Sequence, residues 1–192
     1  KQLNIKIDKL SIENQIRNFL VAENENLREA NILSKKLSPK KTFFAEVTTP
    51  TIRGNMKIVV INKGTKNGLK EGMPVVNKLG LVGQIFSTYE KTSEVIPLLS
   101  KKFAVNALQN NGKNHVIIYG NNEFLEIPYF PASIQISIGD IFVTSGLDNV
   151  YPSGIKIGEV VEISPEDKQF NKIKLKPSTA SNQFSLVTVI DY

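Results

Sequence analysis

The sequence predicts a mainly β fold: an amino-terminal amphipathic α-helix with a coiled-coil-like pattern, followed by two small β-barrel domains. Three observations carry that expectation. Residues 3–37 contain no Pro or Gly and space their apolar side chains mostly three, four or seven apart. From Phe43 onward, short runs rich in Val, Ile and Phe follow one another with Gly, Pro and Asn between them, and no helical pattern intervenes. Two of these segments also repeat one order of residues, which divides the strands into two units.

The helical stretch holds Ile5, Ile12, Ile16, Phe19, Leu20, Leu27, Ala30, Leu33 and Leu37, a spacing that fits about ten turns of amphipathic helix. Ser38-Pro39 ends it, because the residue before proline is pushed out of the helical region. The apolar stripe has to be covered, and two registers are open. One uses Ile12, Ile16, Phe19, Ala30, Leu33 and Leu37, with Glu23 and Asn26 interrupting; the other uses Ile16, Leu20, Leu27 and Leu37. The expected self-association residues are Ile16, Leu20 and Leu27. The competing expectation is a helix packed against its own globular domain.

The strand-like runs are FFAEV, KIVVIN, MPVV, LVGQIF, EVIPLL, FAVNAL, HVIIY, FLEIPYF, IQISI, DIFVT, IKIGEVVEI, KIKLK and SLVTVI. About 150 residues of such strands suit two small barrels better than one large one. The expected division is 1–40 for a dimerisation helix, 41–106 for the first barrel and 107–192 for the second. The last strand either closes the second barrel or returns to the first. Residues 68–85 and 137–160 share the repeated order: a Gly followed by Met or Asp opens a strand, a turn follows, and a hydrophobic segment leads to Gly83-x-Ile or Gly158-x-Val.

Composition narrows the function classes. The net charge is +6, but only Arg17, Arg28 and Arg53 are arginines. Arginine is the usual bidentate ligand of phosphates and bases, so no nucleic-acid partner is expected. There is no Cys, which excludes disulfides and thiolate metal sites. No apolar run reaches the roughly 18 residues of a membrane span, and the chain opens on Lys1-Gln2 without Met, so an upstream part is expected to be missing.

The segments VINKGTKNGLKEGMPVVNKLGLVGQI and GDIFVTSGLDNVYPSGIKIGEV resemble the MreC rod shape-determining family. The matching positions are Gly64, Gly68, Gly72, Met73, Gly80, Leu81, Val82 and Gly83, then Gly139, Asp140, Thr144, Ser145, Gly146, Leu147, Pro152, Gly154, Ile157, Gly158 and Val160. Glu25-Asn26-Leu27 ahead of the barrels fits as well. Tyr151 stands where phenylalanine is the commoner aromatic. The resemblance implies a periplasmic protein anchored to the inner membrane by an amino-terminal span absent here, with a dimerising helix and two β-barrels. It implies a non-enzymatic scaffold of cell-wall elongation that docks a class B penicillin-binding protein transpeptidase. MreD, linkage to MreB through the membrane, and self-association as a homodimer or filament are the other implied partners.

The sharpest alternative is a chymotrypsin-like double-barrel protease or pseudo-protease, since His115, Asp140 and Ser145 follow that chain order. Asp140 and Ser145 lie only five residues apart, however, and Ser145 lacks the Gly-Asp-Ser-Gly context of an oxyanion hole. Turns explain the same residues, with Gly68, Gly72, Gly83, Gly139, Gly146, Gly154 and Gly158 expected as structural turn positions. GTKNGLKEG lacks the ending of a phosphate loop, and a single histidine with scattered carboxylates gives no metal-ligand spacing. No catalytic residue, metal or cofactor is expected. For a partner, the best candidate is the EFLEIPYFPASI segment with Phe124, Ile127, Tyr129 and Phe130, where Pro128 and Pro131 discourage central-sheet pairing. Alternation leaves open that half of these side chains face the barrel core.

Overall fold

The computed structural model describes residues 15–18, 20–25, 27–28, 40–53, 56–110, 114–179 and 185–192. Residues 15–18, 20–25 and 27–28 are helical, Lys40 is a bend ahead of the first strand, and the rest of the expected 1–40 helix lies outside the described residues. The strands are β1 (Lys41–Arg53), β2 (Met56–Ile61), β3 (Pro74–Asn77), β4 (Gly80–Thr88), β5 (Ser93–Pro97) and β6 (Ala104–Gln109), then β7 (His115–Gly120), β8 (Leu125–Pro131), β9 (Ile141–Thr144), β10 (Lys156–Pro165), β11 (Phe170–Pro177) and β12 (Leu186–Asp191). They form two closed six-stranded barrels, ordered β1-β12-β3-β4-β5-β2 and β10-β11-β8-β7-β6-β9. Closure removes the exposed edges that short, apolar strands would otherwise offer to other chains.

The barrels do not follow the chain in two blocks. β12 pairs with β1 and β3, so the carboxy terminus completes the first barrel. β6 pairs with β7 and β9 in the second. A boundary after Asn106 therefore cuts through β6, and the expected 41–106 and 107–192 division is corrected. The first barrel is built from β1–β5 with β12, the second from β6–β11. No Gly or Pro separates Phe103 from Asn110, so nothing in the sequence marks a boundary at Asn106; the chain changes barrel earlier, between Pro97 of β5 and Ala104 of β6.

Among the sequence-predicted strands, residues 134–138 form none. Ile134 N–H donates to the Pro131 carbonyl in a turn (3.0 Å), and Ile134 and Ile136 rest against the second core as an unpaired strap while Ile138 is exposed. Two of the seven expected turn glycines are also corrected. Gly68, Gly72, Gly139, Gly146 and Gly154 have positive φ, but Gly83 and Gly158 lie inside β4 and β10. Their role is close approach: a Cβ on Gly83 would stand 2.1 Å from the Ile96 carbonyl oxygen, and one on Gly158 2.7 Å from that of Lys176.

The first barrel is filled by Ala45, Val59, Ile61, Leu69, Val75, Ile85, Val95 and Val189, with Phe43 packed at its rim. A larger cluster centres on Phe130, Phe142, Ile157, Ile173 and Leu175 of the second barrel and runs on into Val76, Leu81, Ile96 and Ile190 of the first. The joint between the barrels is thus continuous hydrophobic core. β4 and β10 meet there so tightly that a Cβ on Gly80 would collide with the Lys156 carbonyl at 2.1 Å.

Candidate partner-docking surface

β8 sorts the expected partner-binding side chains by face. Leu125 and Ile127 point inward, and Ile127 sits opposite Ile173 of β11. Ile127 is 3% and Phe130 1% exposed, so both are core residues and their expected docking role is corrected. Strict alternation would turn Tyr129 inward as well, but the β8–β11 register shifts between Asn171 and Ile173, and this bulge turns Phe130 in and Tyr129 out.

Tyr129 is held in an uncommon conformation. Its φ is 53°, in the left-handed region that bulky residues rarely occupy. Its N–H donates to Glu166 Oε2 at 2.9 Å, and its ring meets Phe170 edge-on at 6.1 Å. The ring is nonetheless 64% exposed. Strain retained to present an apolar side chain to water contributes nothing to the fold by burial, and such outliers concentrate at functional positions.

Phe124 sits in the β7–β8 turn, where the Asn121 side-chain oxygen accepts the N–H groups of Glu123 (2.9 Å) and Phe124 (2.7 Å). Lys174 Nζ lies 5.5 Å from its ring centroid while pairing with Glu162 at 2.9 Å. Lys172 pairs with Glu126 at 3.0 Å. The charges around Phe124 are thus arranged in opposite-sign pairs across strands.

Sequence reasoning missed Ile117 and Tyr119, which β7 turns to solvent together with His115. The signal was present in HVIIYG: a barrel strand apolar at consecutive positions has too many hydrophobic residues for one inner face. Leu147 stands near Ile117 in a shallow depression of about 290 Å³, lined also by Asn106, Ala107, His115, Val116 and Ser145.

His115 and Ser145 thus share a depression, and the acid of a triad is what this site lacks. Asp140 is engaged elsewhere, its carboxylate accepting from Gln109 Nε2 and from the Ser137 N–H, each at 2.8 Å. Thr144 explains the TSG sequence. Its hydroxyl donates to the Pro152 carbonyl and accepts the Ile155 N–H, tying the two sides of the turn together. Gly146 supplies φ 78°. Asp148 accepts from Asn106 Nδ2 (3.1 Å) and Val150 N–H (3.0 Å). Among the described residues no group of three or more His, Asp or Glu side chains is placed to hold a metal.

On the helical residues, Ile16, Leu20, Val21 and Leu27 are all exposed. No helix is long and apolar enough to cross a membrane among the described residues.

Residues 47–191, which include nearly all of both barrels, match the family model for the barrel core of the rod shape-determining protein MreC. The chain belongs to the MreC family. Among curated relatives, the cell shape-determining MreC of Haemophilus influenzae is 31% identical over 189 residues, covering 90% of this chain and 54% of the relative. The chain spans about half the length of the first curated relatives it matches. A solved MreC structure superposes with a TM-score of 0.79 at 26% identity, covering 89% of this chain and 98% of that one. The MreC of Helicobacter pylori, solved in complex with the penicillin-binding protein PBP2, shares the fold at a TM-score of 0.62 and 20% identity, covering 79% of this chain and all of that one.

Proposed function

We propose that this chain is the periplasmic part of a membrane-anchored, non-enzymatic scaffold that helps maintain rod shape by docking and regulating a class B penicillin-binding protein during wall elongation. Membership of the cell shape-determining MreC family supports the setting, and the PBP2 complex of the Helicobacter pylori relative supports the kind of partner. The observation that carries the reading is Tyr129: a strained aromatic on a closed barrel, braced by Glu166 and Phe170 and left in water. Rigid, exposed aromatics lose little conformational entropy on binding and are the usual anchors of protein interfaces. Phe124 would extend that contact along the same barrel. Ile16, Leu20 and Leu27 would pair the helix with that of a second copy, giving a homodimer or a filament. MreD, and MreB through the membrane, complete the proposed partners.

A calorimetric titration against the periplasmic domain of the elongation transpeptidase tests this. Saturable binding is expected, and it should survive in a chain starting at Lys41. Tyr129→Ala should weaken it by at least about tenfold and leave the unfolding midpoint nearly unchanged. Absence of binding by both chains, or equal affinity for the Tyr129→Ala variant, would overturn the proposed site.

A further inference from the structure

The two barrels are the same object with one strand traded. Read around the rings from β1 and from β7, the first barrel is β1-β12-β3-β4-β5-β2 and the second is β7-β6-β9-β10-β11-β8. Strand for strand, β1 to β5 correspond to β7 to β11, and β12 corresponds to β6. Across β3–β5 and β9–β11 the hydrogen-bond registers agree residue by residue. Gly83, Gln84, Ile85 and Ser87 face Pro97, Ile96, Val95 and Glu94. Gly158, Glu159, Val160 and Glu162 face Pro177, Lys176, Leu175 and Lys174, with the bulge at the same step. On the other side of these strands, Val75 faces Gly83 and Val76 faces Leu81, as Phe142 faces Gly158 and Val143 faces Lys156.

The closures match too. Gly72 N–H donates to Ile85 O and Ile85 N–H to Met73 O, each at 2.9 Å; Gly139 N–H donates to Val160 O and Val160 N–H to Asp140 O, again each at 2.9 Å. After Pro97, Leu98 N–H donates to Val82 O at 3.0 Å; after Pro177, Ser178 N–H donates to Ile157 O at 2.9 Å. At these two equivalent points the chain leaves one barrel and supplies the sixth strand of the other.

We infer that the chain is an internal duplication of one six-strand unit whose two copies have exchanged their sixth strands, so that each barrel is closed by the other's strand. Each unit consists of five strands and the strand that follows them, β1–β6 or β7–β12, and neither unit contains a complete barrel. The equivalent strands β4 and β10 meet at the joint, as expected near an internal two-fold axis. The crossing segments seal it: the Thr179 hydroxyl donates to the Leu81 carbonyl at 2.7 Å, and Gly120 leaves room for the carbonyls of Leu98 and Ser100. Side-by-side barrels on a linker could turn independently and unfold separately. Exchanged strands make them one folding unit and fix their mutual orientation, so a load applied to the second barrel is borne by the first. A scaffold gains from that rigidity whichever partner it holds.

The test is to cut the connection and ask whether the halves stay together. A sequence-specific protease site inserted between Lys101 and Lys102, in the exposed turn before β6, allows the folded full-length chain to be nicked. The two fragments should co-elute as one particle of unchanged size in native buffer, held by β12 inside the first barrel, and part only in denaturant. Separation in native buffer would overturn the interlock. A second measurement stands if the inserted site impairs folding. The chain has no Trp, so Tyr89→Trp and Tyr119→Trp give one clean fluorescent reporter per barrel. Urea transitions read by the two should coincide, and Val189→Ala in β12 should lower both midpoints equally. A second-barrel midpoint that stays in place while the first falls would overturn the proposal.

Discussion

Strands β1 and β7 occupy the same place in their rings, yet β1 turns Lys41, Glu46 and Thr48 to solvent where β7 turns His115, Ile117 and Tyr119. Charge divides the same way. Residues 41–97 with 186–192 carry eight basic and five acidic side chains, whereas residues 98–185 carry eight of each. The most exposed aromatic ring of the barrels, that of Tyr129, belongs to the second, and so does the conformational strain that presents it. What the barrels share is backbone: the bulges of β3–β5 and β9–β11, the close-approach glycines Gly83 and Gly158, and the crossing points. What they do not share is the outer face. A duplicated barrel is free to diverge there, because an outward side chain in a closed antiparallel barrel contributes little to its core. Shared positions therefore report on folding, and unshared outward ones such as Tyr129 are where the proposed partner contacts would lie.

The largest effect is expected where the shared frame is tightest. Ala at Gly83 places its methyl 2.1 Å from a backbone oxygen that belongs to β5, so the two strands must part. Ala at Gly158 meets the equivalent oxygen at 2.7 Å with Leu125 Cδ1 at 3.4 Å, and a smaller shift relieves it. Overpacking of this kind costs about 1–3 kcal/mol and occasionally more. Gly83→Ala is expected at or above the top of that range and Gly158→Ala within it, read as urea midpoints. The reverse order would break the residue-by-residue equivalence drawn between the two strands.

A second comparison sets the barrels, each with a buried hydrophobic core, against the helix, with Ile16, Leu20 and Leu27 exposed. If the helix is covered by a second copy, Leu20→Asp combined with Leu27→Asp should convert a dimer to a monomer. That corresponds to on the order of 100-fold or greater weakening for two lost core contacts per chain. Light scattering across micromolar concentrations reads it, and the unfolding of the barrels should not move. A parent chain already monomeric over that range would show that the stripe is covered by something other than self-association.

These contrasts also explain what could be read from the sequence. Barrel strands are announced locally, by β-branched runs between Gly, Pro and Asn, and twelve of the thirteen runs pair as strands. Residues 134–138 alternate as a strand should, but no neighbour has a free edge to pair with them. The repeated order of residues 68–85 and 137–160 was legible because close-approach glycines and positive-φ turns leave few residue choices. The exchange of β6 and β12 was not, since it depends on which barrel a strand joins, and either barrel would bury the same kind of side chain. At the proposed docking surface, Phe124 and Tyr129 could be named but not separated from Ile127 and Phe130. One bulge decides which aromatic faces water, and the residue opposite it lies far along the chain, in β11.

The smallest expected effect concerns Tyr151, in the turn after β9. Its ring is 3% exposed within the second core, and its hydroxyl finds no hydrogen-bond partner among the described residues. Burial, and then the Asp148 carboxylate, push the phenol well above its ordinary value. A buried donor without a partner costs stability, so Tyr151→Phe should raise it by about 1 kcal/mol. The pH dependence distinguishes this from a simple packing change. With the folded-state value raised, the native protein keeps its proton while the unfolded chain loses one from about pH 10 upward. The parent should therefore lose stability as pH rises beyond that point, with its full stability present below it. Tyr151→Phe removes this group's share of the slope, so the gap between variant and parent should be constant near neutral pH and widen in alkali. A constant gap throughout would mean that the hydroxyl reaches solvent and that the turn opens more readily than its burial implies.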